Sequence, residues 1–127
     1  MPTKGLIGIH DPTEGGLATA LHEIADVCKC GLEIDHTTIS IMPETNKLAE
    51  IFNFDPLGLI ASGCALIVCR PNTAQTIVNK IGDKSIAVIG RLTSSPTKRI
   101  FIKNGKKTTL PRHTTDEIIH ALNSLKN

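Results

Sequence analysis

Along this chain, stretches whose apolar residues recur every third or fourth position take turns with stretches where they alternate or run on unbroken. GLIGIH, residues 5–10, is a short apolar run that predicts a strand, and DPTEGG is the turn after it. From there Leu17, Leu21, Ile24, Ala25 and Cys28 recur at helical spacing and predict one buried stripe, with Gly31 ending the helix. LEIDHTTISI sets Leu32 and Ile34 against Glu33 and Asp35, the alternation of a strand. PETNKLAEIFN carries Pro43 and Glu44 in an expected first turn and Leu48, Ile51 and Phe52 as its stripe. DPLGLIASG reads as a turn with one helical turn of its own. CALIVCR is almost continuously apolar, the pattern of a strand at a sheet centre or covered on both faces. Asn72 is placed to cap the helix TAQTIVNKIG, which Gly82 ends, and SIAVIGRLT predicts a strand bent or bulged at Gly90. RIFIKNGKKTTL predicts a hairpin turning at Asn104-Gly105. Thr114 and Glu117 have the spacing of a capping box for DEIIHALNSL. The order β-α-β-α-β-α-β-β-β-α, without repeat or long linker, predicts an α+β fold. One domain over residues 1–127 is expected, its mixed sheet carrying helices mainly on one face, related to the split β-α-β plan.

Composition narrows the function classes. The 127 residues suffice for a buried core, and a net charge of +2 argues against nucleic acid or an acidic membrane surface as partner. Lys103, Lys106 and Lys107 surround the hairpin turn and read as solvated. With no Trp, no Tyr and three Phe there is no stacking platform for bases. No apolar run approaches the roughly 20 residues that span a bilayer, and MPTKGLIGIH lacks the apolar centre of a signal peptide. A cytoplasmic protein is expected. Cys28 and Cys30 form a C-x-C, and Cys64 and Cys69 lie five apart, on opposite faces of a strand. Neither is the C-x-x-C of a zinc site, so reduced, mostly buried cysteines are expected, with a redox or metal role for Cys28 and Cys30 as the alternative. His22 is expected on the surface, and His36, His113 and His120 have no partners at metal-ligand spacing. No metal site is expected, and no catalytic residue is identified.

The adjacent glycines of HDPTEGGLATALHEIA pose the sharpest question, since glycine inside a helix costs about 1 kcal/mol relative to alanine. One explanation is packing, with Asp11 or Thr13 capping the helix and the glycines letting it approach its neighbours. The other is an anion cradle. The first N–H groups of a helix lack internal partners and sit at the positive end of its dipole, and bare backbone admits a phosphate or carboxylate to them. Asp11 and Thr13 then stand on the loop before Gly15 and Gly16, with His10 and Glu14 at its border. His10 is a candidate phosphate contact or acid/base group, or simply the polar end of a strand. Spacing alone leaves both explanations open.

DPTEGGLATALHEIA resembles the signature that opens the C-terminal domain of the aminoimidazole ribonucleotide (AIR) synthetase superfamily, nearest to the hydrogenase maturation proteins that form the cyanide ligand. GLEID is similar to their following strand, LGLIASGCALIVC to their small-residue turn and core strand, and IAVIGRLT to a later strand. The resemblance runs from about Gly5 to Leu110. It implies the C-terminal domain of an ATP-dependent enzyme that activates an amide-type or carboxylate-type oxygen and then loses phosphate. ATP and Mg²⁺ are implied to be held mainly by an ATP-binding N-terminal domain, in the same or a separate chain, with homodimerisation through those domains. By position Asp11, Thr13, Gly15 and Gly16 are then phosphate-facing, with Ser62 and Gly63 a second lining turn. Alone, the chain is expected to be inactive; a stand-alone binding or regulatory module of the same fold is the alternative. The cyanide-forming members end in a reactive cysteine, whereas no cysteine follows Cys69 in these residues. Where they tend to carry Asn-Glu-Gly, this chain has Ala61-Ser62-Gly63.

Overall fold

Strand pairing divides the chain between two sheets, with its longest helix supplying the largest share of the core. The computed structural model describes residues 4–82 and 84–126. In order come β1 (Leu6–His10), α1 (Gly16–Cys28), β2 (Gly31–Asp35), a 3-10 turn (His36–Thr38) and α2 (Pro43–Phe52). A second 3-10 turn (Pro56–Gly58), β3 (Leu66–Cys69), α3 (Pro71–Ile81), β4 (Gly90–Thr93), β5 (Arg99–Lys103), β6 (Lys106–Thr109) and α4 (Glu117–Ser124) follow. The larger sheet has the order β4-β2-β5-β6 and is mixed: β2 runs parallel to β5, and β2–β4 and β5–β6 are antiparallel. β1 and β3 form a separate antiparallel ribbon. The α+β class, the mixed sheet and the order of elements are as the sequence predicts.

The core follows from α1 and β2. Ala18, Ala20, Leu21, Ile24 and Ala25 of the helix are buried, as are Leu32 and Ile34 of the strand, with Phe101, Leu57, Leu66 and Leu110 closing round them. Glu33 and Asp35 lie on the less buried side, so the alternation in β2 holds. The hairpin also holds: Asn104 (φ 50°) and Gly105 (φ 74°) take the left-handed conformation that a tight turn between twisted strands requires.

Several local expectations fail. Lys29 in a left-handed conformation, not Gly31, ends α1, and Cys30 N–H donates to the Ala25 carbonyl. The strand over LEIDHTTISI stops at Asp35, whose carboxylate takes hydrogen bonds from Thr37 N–H and Oγ1 at 2.9 and 2.7 Å and bends the backbone into a turn. These bonds also hold the Asp35 pKa below its usual value. Leu48 and Ile51 of α2 are exposed, and Ala49 is the residue it buries. β3 is half of a two-stranded ribbon, not a sheet centre. Arg70 rather than Asn72 occupies the N-cap of α3, with Pro71 at its first turn. Gly90 pairs with Ile34 where β4 lies closest against β2, and the ladder irregularity lies instead between Leu6 and Gly8. All four cysteines are free, but none is buried: Cys28 and Cys64 are exposed, Cys30 and Cys69 half-buried, and Cys64 precedes β3. Among the described residues no helix is long and apolar enough to cross a membrane, and no group of three or more His, Cys, Asp or Glu could hold a metal ion.

His22, expected on the surface, is 5% exposed. The chain after β6 crosses α1 there: His22 Nε2–H donates to the Pro111 carbonyl at 3.0 Å, leaving Nδ1 to accept from the Arg112 guanidinium at 3.4 Å. That pattern suits the neutral ring. Burial foremost, with the charges of Arg112 and Arg99 assisting and the Pro111 bond opposing, lowers the His22 pKa from 6.5. The unfolded chain therefore takes up a proton before the folded one does. His22 contributes its full stability above about pH 6.5, and loses it as pH falls toward the lower folded value, by up to about 1.4 kcal/mol per pH unit. Urea midpoints compared at about pH 7.5 and about pH 5.5 should fall more in the parent chain than in His22→Gln, which keeps a donor for Pro111 without a titrating ring.

Candidate functional site

The turn between β1 and α1 is built around Pro12, whose side chain is fully buried, and around one carbonyl. The Thr13 carbonyl accepts from Gly16 N–H at 3.1 Å and from Ala61 N–H at 3.3 Å. The second bond brings the turn holding Ser62 and Gly63 against the glycine pair, so the structure does assemble the two predicted turns. Asp11, Thr13, Glu14, Ser62 and Gly63 are exposed, whereas Gly15 and Gly16 are buried. His10 is not turned to the loop: its Nε2 lies 2.8 Å from Glu23 Oε2 on α1.

The glycine pair has two separate reasons. Both residues have positive φ, 76° at Gly15 and 64° at Gly16. A Cβ on Gly16 would stand 2.5 Å from the carbonyl oxygens of Leu57 and of Leu59, and 2.9 Å from the Gly58 carbonyl carbon. Gly16 is thus the packing glycine, where α1 rests on the Pro56–Gly58 turn. Gly15 is the N-cap, and no side chain of the preceding loop caps it, contrary to the expectation for Asp11 or Thr13. A Cβ there would meet the Thr19 side chain.

An anion does occupy the head of α1, and it comes from the far end of the chain. Asp116 Oδ2 accepts from Gly15 N–H at 2.8 Å, while its Oδ1 accepts from Ile60 N–H at 3.2 Å and Ile118 N–H at 2.9 Å. Asp116 is also the N-cap of α4, so the capping box expected of Thr114 and Glu117 is not formed. Glu117 serves another cluster: its Oε2 accepts from Asp55 N–H at 2.8 Å and its Oε1 lies 3.2 Å from His113 Nδ1. His113 Nε2 lies 3.2 Å from Asp55 Oδ2, and the ring is 12% exposed. Both contacts are hydrogen bonds together only when both ring nitrogens carry protons. A groove of about 470 Å³ runs beside these groups, bordered by Gly15, Thr19, Ile60, His113, Asp116 and Ile119. Thr19 Oγ1 is buried there with no hydrogen-bond partner among the described residues. Sequence reasoning missed Asp116, His113 and Asp55: Asp116 and His113 lie close together near the end of the chain, far along it from the glycines and from Asp55, and the three match no motif.

The fold has known counterparts. The family described as AIR synthase related protein, C-terminal domain, matches residues 1–103. Carbamoyl dehydratase HypE of Rhodobacter capsulatus is 46% identical over 67 residues, covering 53% of this chain and 19% of that protein. Carbamoyl dehydratase HypE of Escherichia coli K12 is 26% identical over 110 residues, 84% of this chain and 33% of its own length. A crystal structure of the hydrogenase maturation protein HypE in complex with ATP superimposes with a TM-score of 0.82 at 19% identity, over 91% of this chain and 38% of that one. This chain thus spans a third or less of the two curated relatives. By the match over residues 1–103, the chain belongs to the AIR synthase related proteins, as a C-terminal domain of that family.

Proposed function

We propose that this chain is the cleft-closing C-terminal domain of a cytoplasmic, HypE-like ATP-dependent enzyme. In this reading an ATP-binding domain, in the same or a separate chain, holds the nucleotide and Mg²⁺ and provides homodimerisation. This chain offers Asp11, Thr13, Gly15, Gly16, Ser62 and Gly63 to the phosphate end of ATP or to a phosphorylated intermediate. The observation that supports it is the seat at Gly15: a backbone N–H at the positive end of α1 that already holds a carboxylate. Such donors stabilise charge that builds on oxygen as a phosphoryl group moves to an amide-type or carboxylate-type acceptor. Ile7 and Ile9, 64% and 65% exposed on β1, give the ATP-binding domain an apolar surface to cover.

The test is a ¹⁵N–¹H titration of the chain with Mg²⁺-ATP in the presence of the part of E. coli HypE that this chain does not match. Saturable shifts confined to the amides from Thr13 to Leu17 and Ile60 to Gly63 are expected. A complex that binds ATP while those amides stay unmoved would overturn the assignment.

A further inference from the structure

We infer that the segment leading into α4 is a built-in plug: the Asp116 carboxylate sits where an incoming anion would bind and must withdraw before phosphate oxygens reach Gly15. The inference rests on the cradle proposed above.

Three observations carry it. The carboxylate is bound as a ligand is bound, by backbone donors from three separate segments: the head of α1, the turn at Ile60 and its own helix. It arrives from beyond the 1–103 stretch that matches the family, 101 residues along the chain from the amide it binds. It also fills the seat incompletely. Two carboxylate oxygens serve Gly15, Ile60 and Ile118, yet the Thr19 hydroxyl bordering the same groove is buried without a partner among the described residues. A tetrahedral oxyanion brings a further oxygen that a carboxylate lacks.

The segment is also built to let go. Leu110 is 2% exposed and Pro111 is tied to His22, which fixes the chain up to that point. Beyond it, α4 buries none of its residues, and Ile118, Ile119 and Leu122 are 40%, 47% and 49% exposed. What holds the helix down, besides Asp116, is polar: His113 with Asp55 and Glu117, and Ser124 Oγ donating to the Phe52 carbonyl at 3.3 Å. Elements with few buried apolar groups open at low free energy. α4 would pivot after Pro111 and carry the carboxylate off the head of α1.

The experiment compares the full chain with Asp116→Asn, titrating each with inorganic phosphate and following the amides of Gly15 and Ile60 by ¹⁵N–¹H spectra. Asparagine keeps a helix cap but removes the competing charge, and Asp116→Ser repeats the test should the first variant fold poorly. If the seat is open in about a tenth of the parent molecules, the variant binds phosphate about ten-fold more tightly, with shifts centred on Gly15. Equal affinities at that amide would overturn the plug and leave the cradle standing. Tighter binding without movement of Gly15 would assign the gain to net charge and overturn the plug as well. No binding by either chain, with the Gly15 amide shown by its own shift to be released in the variant, would overturn plug and cradle together.

Discussion

Gly16→Ala is expected to destabilise the chain by about 3 kcal/mol or more, enough to remove a large part of the total for a domain of this size. Two penalties combine. At φ 64° an L side chain is strained wherever it points. Here the new methyl would also point into the carbonyls of Leu57 and Leu59, 2.5 Å from each. Those oxygens belong to backbone pinned by Asp55, whose Oδ1 accepts from Leu57 N–H at 3.0 Å, and they have no rotamer to retreat into. Gly15→Ala makes the informative contrast. Its φ is no better, but the obstacle is one side chain rather than two carbonyls: the Thr19 hydroxyl can rotate away while its Cβ, 2.9 Å from the new methyl, requires a small shift of the helix, so a smaller loss of about 2 kcal/mol is expected. Urea denaturation of the two variants would show the order, and a Gly16→Ala chain as stable as Gly15→Ala would refute the packing role of Gly16.

Phe101→Ala is expected to cost about 4 kcal/mol, through the lost transfer energy and the cavity left behind. Phe101 is 4% exposed, faces Ile34 across the parallel pair and Thr108 across the hairpin, and meets the His36 ring edge-on with centroids 5.6 Å apart. The chain has three phenylalanines, and Phe52 and Phe54 are only half-buried, so no other described aromatic side chain can fill the space. Phe101→Leu keeps most of the volume and should cost about 1 kcal/mol. Both are read as shifts in urea midpoint at constant slope. A loss below about 1 kcal/mol for the alanine variant would show that the sheet collapses onto the vacancy.

What was legible in the sequence was what neighbours along the chain decide. The β2 alternation, the Asn104-Gly105 hairpin and the order of elements each depend on a few adjacent residues, and each appears as read. The glycine signature and the small-residue turn were legible as neighbours, and the Thr13 carbonyl does join them. The misreadings share another cause. An apolar run records a preference to leave water, not the partner: Leu66 of CALIVCR does reach the core, but its strand pairs with β1 in a ribbon rather than at a sheet centre, and Leu48 and Ile51 stay exposed. His22 lies on a flank of α1 that becomes interior only because Leu110 and Pro111 cross it. Asp116 lies 101 residues from the amide it binds. No local pattern announces such a pairing, since Asp116 looks like any helix cap.

The double duty of the Thr13 carbonyl has a geometric consequence. One oxygen serves the amide of its own turn and the amide of Ala61, so the positions of the two turns are not independent coordinates. A residue inserted before Ala61 would move the origin from which the first turn is built, not merely lengthen a loop. The mouth of the groove therefore has fewer degrees of freedom than its loops suggest, and its shape varies as one rigid quantity.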